Sequence, residues 1–68
     1  MNQKHLQELS FSYRYTCYAH ESMARAFKAV HDVEQQEFYE GLARHAYKLA
    51  DDYAKMASDW AKERKVDE

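Results

Sequence analysis

The sequence has no proline, one glycine and a single cysteine in its 68 residues. Because proline and glycine interrupt helices and form turns, a chain almost without them favours long helices with few turns. One cysteine cannot form an internal disulfide, and no apolar run approaches the ~20 residues that a membrane-spanning helix needs. The N-terminal segment is too polar for a signal peptide. We therefore expect a reduced, cytoplasmic protein that does not contact a membrane.

A regular apolar repeat organises the second half of the chain. Asp32 is a favourable N-cap, and Gln35 follows at the spacing of a capping box. Apolar residues then alternate at spacings of three and four, an average of about 3.5 residues per turn that is typical of helical bundles. Three small residues at the e positions of this heptad, Ala43, Ala50 and Ala57, should let a second neighbour, another hairpin, approach. The a and d positions are Tyr39, Leu42, Ala46, Leu49, Tyr53, Met56 and Trp60.

The first half of the chain carries the same heptad, interrupted by the polar residues Thr16 and His20. We predict a helix over about residues 3–30, a turn at residues 31–33 and a helix over about residues 33–63, followed by a fraying charged tail. The a and d positions of the first helix are Leu6, Leu9, Tyr13, Thr16, His20, Met23, Phe27 and Val30.

These elements predict a single all-α domain, an antiparallel helical hairpin. Folding at the turn pairs positions whose numbers sum to about 65, so Phe27 should lie near Tyr39, and Tyr13 near Tyr53. A core of this size is marginal, and two helices leave one side of the apolar face exposed. A homodimer that forms a four-helix bundle would cover that side. The alternative is a monomeric hairpin that docks on another protein.

The net charge of −2 is divided unequally between the two predicted helices. Residues 1–31 carry four basic and two acidic side chains, whereas residues 32–68 carry six basic and ten acidic ones. A basic helix beside an acidic one could recognise a partner, but pairing between the two helices is the simpler explanation.

One feature of the first helix does not follow from packing. Phe11 and Tyr18 lie opposite the core, and Arg14 and Tyr15 complete a stripe at i, i+3, i+4 and i+7. Aromatic rings can stack on unpaired bases, and arginine can contact phosphate. The stripe predicts a surface for structured RNA or for another protein, unless its aromatic residues pack in an oligomer. The candidate binding residues are Lys4, Phe11, Arg14, Tyr15, Tyr18, Arg25 and Lys28.

The second helix carries a pattern of polar and apolar residues beyond the heptad, namely Glu34, Gln35, Glu40, Leu42, His45, Ala46 and Leu49. This pattern resembles that of the Rop (RNA one modulator) family of plasmid copy-number regulators. Without a gap, Arg14 and Tyr15 then stand where that family has an arginine and an exposed phenylalanine, and Lys4 where it has an N-terminal lysine. The resemblance implies a homodimeric antiparallel four-helix bundle whose paired first helices bind two kissing RNA stem-loops, with these three residues in contact.

The chain also departs from the family pattern on the first helix. Phe11 and Ala19 stand where the family has polar amides, and Ala26 stands where it has a lysine, although Lys28 is near. A bundle that keeps the scaffold and changes its partner is consistent with these differences, since fold does not fix function.

The remaining chemistry of the sequence is sparse. There is no Ser/His/Asp set, glycine-rich phosphate loop or zinc spacing, and we expect Cys17 to be an unreactive thiol. Gly41 lies inside the second helix without an evident reason. No Glu-x-x-His motif precedes His45, so His20, Glu21 and His45 support a metal site only as a third alternative. We expect a protein that is not an enzyme and has no cofactor.

Overall fold

The computed structural model describes residues 2–67 of the chain, and the side chains of residues 2–63. It contains two helices, α1 (Gln3–Ala29) and α2 (Val33–Asp67), joined by a short turn. The molecule measures 56 × 14 × 13 Å, as expected for two long helices side by side. The predicted all-α helical hairpin is therefore confirmed. Over the described residues, neither helix contains an apolar stretch long enough to cross a bilayer.

Both helices begin at a side-chain cap. The Asn2 side chain accepts a hydrogen bond from the His5 backbone N–H at 2.9 Å, and Asp32 Oδ1 accepts one from the Gln35 N–H at 3.2 Å. Each bond satisfies one of the backbone donors that a helix N-terminus leaves without a partner. Asp32 was predicted as a cap from the sequence, whereas the Asn2 cap was not.

The turn closes α1 with a Schellman motif. The backbone N–H of His31 donates to Lys28 O at 3.0 Å, and the N–H of Asp32 donates to Phe27 O at 2.9 Å. His31 has a φ of 61°, in the left-handed region where glycine is the usual residue. Asp32 therefore belongs to both helix ends, because its N–H completes the end of α1 and its carboxylate caps α2.

The end of α2 differs from the sequence prediction. A helix ending near residue 63 with a fraying tail was expected, but α2 continues to Asp67. The physical reason is the composition of the tail, which contains neither glycine nor proline and so provides no stop signal.

Small residues at the e positions form the closest contact between the helices. Ser10, Cys17 and Ala24 of α1 are buried, as are Ala43, Ala50 and Ala57 of α2. The Ser10 hydroxyl donates to the backbone oxygen of Ala50 at 2.7 Å, a bond that requires the two helix backbones to lie close together. The neighbour that the alanines admit is thus α1 of the same hairpin.

Stacked aromatic rings at the a positions fix the register of the helices. The ring centroids of Tyr13 and Tyr53 are 5.7 Å apart, and those of Phe27 and Tyr39 are 5.6 Å apart. Both pairs were predicted from the sequence, and both are confirmed. His20 lies 5.9 Å from the same Tyr39 ring, between the two stacks along the helix. Stacked pairs of this kind contribute about 0.5–1.5 kcal/mol beyond the area that they bury.

Gly41 has room for a side chain. Its φ is not positive, and a Cβ built there would meet only Arg44 Nη2, at an ordinary contact distance of 3.8 Å. We expect Gly41→Ala to raise the free energy of unfolding by about 1 kcal/mol, because glycine inside a helix costs that much relative to alanine. Thermal unfolding followed by circular dichroism at fixed protein concentration would show a rise of about 4–8 °C. The converse substitution, Ala26→Gly at an exposed position of α1, should lower the free energy of unfolding by a similar amount. A Gly41→Ala variant with the same unfolding temperature as the unsubstituted protein would contradict the expectation.

Candidate functional site

The predicted aromatic stripe lies fully on the surface of α1. Phe11 is 58 % exposed, Tyr15 is 73 % exposed and Tyr18 is 54 % exposed, and Arg14 between them is also exposed. The three rings span about 10 Å along the helix axis at 1.5 Å per residue. A contiguous exposed aromatic surface of this kind usually marks an interaction site, because it has no packing role within the hairpin. We call Phe11, Arg14, Tyr15 and Tyr18 the aromatic stripe.

The cations of α1 are not neutralised by α2. Lys4, Arg14, Arg25 and Lys28 are exposed, and no ion pair joins the two helices among the side chains of residues 2–63. Within α2, Lys55 Nζ and Asp51 Oδ2 form an ion pair at 3.2 Å. Direct ion pairing between the helices therefore does not account for the charge asymmetry over this range. The positive charge of α1 remains free to act on a partner.

The a and d residues form a second surface that the hairpin covers only in part. Met23 is 41 % exposed and Met56 is 50 % exposed, although both are large apolar side chains. Ala46 is buried. Of the other a and d residues, Leu6 is buried, and Thr16 and Val30 are exposed. The remaining ones are half-buried, namely Leu9, Tyr13, His20, Phe27, Tyr39, Leu42, Leu49, Tyr53 and Trp60. We call this surface the apolar face.

A groove runs between the helices on the side opposite the apolar face, in the half of the hairpin near the turn. Its volume is about 670 Å³, and it is open to solvent. Buried small residues form its floor, and charged residues and Tyr47 form its rims. We call it the turn-side groove. Its lining residues are Cys17, Glu21, Ala24, Arg25, Lys28, Gln36, Glu40, Ala43, Arg44 and Tyr47.

The thiol of Cys17 lies on the floor of this groove and is 2 % exposed. Its Sγ donates to Glu21 Oε1 at 3.4 Å. Burial raises the pKa of the Cys17 thiol above its usual value, and the hydrogen bond and the negative charge of Glu21 raise that pKa further. The thiol is therefore protonated at neutral pH. Because the thiolate is the nucleophilic form, Cys17 is poorly suited to covalent chemistry.

The three residues of the metal alternative do not come together as a ligand set. His20 is half-buried against Tyr39, Glu21 accepts the Cys17 bond, and His45 is exposed on α2. Within the part of the chain that the structure describes, no group of three or more His, Cys, Asp or Glu side chains is placed to hold a metal ion.

Arg44 and Tyr47 were not predicted as binding residues from the sequence, and the structure places them on the rim of the turn-side groove. Their spacing of three residues on α2 was visible in the sequence. It became informative only once the e-position alanines were known to face α1, because this places both residues beside the line of contact.

Comparisons with protein-family models, with curated proteins and with solved structures found no match to this chain.

Proposed function

We propose that this protein is a small, non-enzymatic regulator that binds structured RNA through the outer face of α1. By its sequence resemblance, it would act as Rop-like proteins do in plasmid copy control, in the cytoplasm, on a pair of stem-loops. The observation that carries the proposal is the aromatic stripe, whose three exposed rings lie beside cations that no carboxylate of α2 neutralises over residues 2–63.

The chemistry of the stripe suits unpaired bases better than a regular duplex. Stacking of a base on an aromatic side chain contributes about 1–3 kcal/mol and requires an accessible base face, which loops and bulges provide. Arginine adds contacts to phosphate and can stack as well. Because α1 carries only four Lys and Arg residues, we expect moderate salt dependence, with aromatic contacts supplying much of the affinity.

A second copy of the chain is the natural cover for the apolar face. Half-exposed methionines and half-buried aromatic rings extend along both helices, on the side opposite the turn-side groove. Pairing two such faces would form a four-helix bundle and remove this apolar surface from water. It would also place two copies of α1 in one particle, so that two stem-loops could be bound together.

We expect Tyr15→Ala to weaken the binding of a pair of RNA stem-loops with complementary loops by about tenfold or more, since one stacking contact is lost. Fluorescence anisotropy with labelled RNA at low and moderate salt would measure the change. Phe38→Ala is the control for loss of an exposed ring, because Phe38 is 57 % exposed but lies on α2, where its ring contacts Tyr39 edge-on. Sedimentation would verify that this variant self-associates as the unsubstituted protein does, and its affinity for the RNA should stay within about threefold.

The absence of binding by the unsubstituted protein at low salt would overturn the proposal. Equal losses in the Tyr15 and Phe38 variants would show that the effect is not specific to α1.

Exposure of the aromatic stripe also favours a second function, an inhibitor or adaptor that binds another protein through the same residues. In that case a partner should copurify with the protein and be lost on Tyr18→Ala. Treatment with nuclease distinguishes the two functions, since it would release a partner held through RNA but not one held directly.

A further inference from the structure

The turn-side groove has a composition that the packing of two helices does not explain. Buried small residues such as Cys17 and Ala43 form its floor, while its rims carry three cations, two carboxylates and an exposed tyrosine. At about 670 Å³ it falls within the range of ligand sites, about 300–1,000 Å³. A ligand of this groove must therefore offer groups that match both signs of charge and a flat face that can stack on the tyrosine ring.

The cations of the groove are available for a ligand. Lys28 and Arg44 make neither an ion pair nor a hydrogen bond within residues 2–63, and Arg25 Nη2 donates only to the Ser22 hydroxyl at 3.0 Å. Arg44 is held near the backbone of its own helix, where its Nη2 lies 3.8 Å from the position that a Cβ on Gly41 would occupy. The guanidinium group is thus placed along the rim, with its donors unused.

The carboxylates of the groove are oriented by neighbours. Glu40 Oε1 accepts a hydrogen bond from Gln36 Nε2 at 2.8 Å, and Glu21 Oε1 accepts the bond from Cys17. Each carboxylate keeps further acceptor sites, since its two oxygens together offer about four. A lone phosphate would face both of these negative charges, and an apolar helix would bury charges without partners. Neither of those ligands fits the groove.

A nucleotide carries groups complementary to all of these side chains. Its base has a flat face for Tyr47, which is 64 % exposed, and guanine combines the O6 and N7 acceptors that arginine contacts with an amino donor for a carboxylate. Its flanking phosphates suit Arg25 and Lys28. Tyr18 precedes Arg25 by one heptad, about two helical turns, on the same side of α1, so a strand bound along the aromatic stripe would continue toward the groove.

We propose that the turn-side groove receives an unpaired nucleotide of the RNA bound by α1, with guanine as the best-fitting base. Arg44 contacts the base edge and Tyr47 stacks on its face, so α2 contributes to an interface otherwise formed by α1. This inference rests on the proposed RNA-binding function and adds a second binding site to it.

The test uses the full chain and a pair of RNA stem-loops with complementary loops, one of which carries a single unpaired guanine. Tyr47→Ala and Arg44→Gln should each weaken binding by about tenfold, whereas Tyr47→Phe, which keeps the ring, should retain affinity. Lys48→Gln is the control for Arg44→Gln, because it removes the same charge from an exposed position of α2 outside the groove. Its effect should be less than about threefold.

A second measurement identifies the contact. If the guanine base is replaced by an abasic residue, the unsubstituted protein should lose about tenfold in affinity, and Tyr47→Ala should then have no further effect, because the two changes remove one shared interaction. All variant positions in this test are exposed, and circular dichroism would show that the helices are retained.

The outcomes separate the two proposals. Suppose that Tyr15→Ala loses binding while Tyr47→Ala and Arg44→Gln bind as well as the Lys48→Gln control does. This result would overturn the groove site and leave the proposed function intact. No binding by the unsubstituted protein would overturn both. If Tyr47→Ala weakened the binding of the abasic RNA as much as that of the guanine RNA, the groove site would also be overturned.

Discussion

Replacing Ala50 with leucine should lower the free energy of unfolding by about 3 kcal/mol. Ala50 is 2 % exposed and lies where the helices approach most closely, so three added carbon atoms have no space. Overpacking of a core typically costs about 1–3 kcal/mol, and separation of the helices would also break the bond from Ser10 to the Ala50 carbonyl, worth about 1 kcal/mol. A domain of this length has a total stability of only about 3–10 kcal/mol, so the loss is a large fraction of it.

The measurement is urea or thermal unfolding followed by circular dichroism, at one protein concentration for all variants because self-association would contribute to stability. Ala26→Leu makes the same chemical change at an exposed position of α1 and should alter stability by no more than about 0.5 kcal/mol. If Ala50→Leu were as stable as Ala26→Leu, the small-residue contact would not be the closest approach of the two helices.

Introducing a carboxylate on the apolar face should separate the proposed dimer. We expect Met56→Glu to weaken self-association by about 1,000-fold or more, since burying an unpaired charge costs several kcal/mol and a two-fold dimer contains the substitution twice. Within a single hairpin, Met56 is already 50 % exposed, so the fold of each subunit should be retained. Sedimentation equilibrium over a range of concentrations would measure the change.

Ser58→Glu is the matched control for Met56→Glu. It adds the same charge two residues away, at an exposed position outside the apolar face, and it should leave self-association unchanged. Sedimentation of the unsubstituted protein as a folded monomer at high concentration would contradict the dimer itself. A monomeric Met56→Glu variant should also bind a pair of stem-loops less tightly, because only one copy of α1 is present in each particle.

The heptad was sufficient to predict the hairpin and two of its contacts. The period of the apolar residues indicated two helices, the single turn made them antiparallel, and the stacks of Tyr13 on Tyr53 and of Phe27 on Tyr39 followed from the register. These features depend on local periodicity and chain connectivity, both of which are present in one sequence.

The side on which each helix meets its neighbour could not be predicted in the same way. A heptad shows which residues are apolar, and the e-position alanines were assigned from it to a second hairpin. The bond from Ser10 to Ala50 shows instead that these small residues face the other helix of their own chain. As a consequence, the aromatic stripe was predicted from the sequence, whereas the groove rim that Arg44 and Tyr47 form was not.

Charge was the least predictable feature. Composition showed a basic half and an acidic half, yet an ion pair requires two long side chains to meet within about 4 Å, and composition does not determine that distance. That the cations of α1 form no ion pair with α2 over residues 2–63 became evident only when the side-chain positions were known.

The turn also determines whether α1 packs against α2 of its own chain or against α2 of another copy. His31 is the one non-glycine residue with positive φ over the described backbone, and such a conformation costs about 1–2 kcal/mol for an L-residue. A straight connection at this point would merge α1 and α2 into one continuous helix. Two such continuous helices could then pair with each other, so that the α1 half of one chain packs against the α2 half of the other. The left-handed His31, held by the shared capping residue Asp32, therefore favours intramolecular closure over domain swapping.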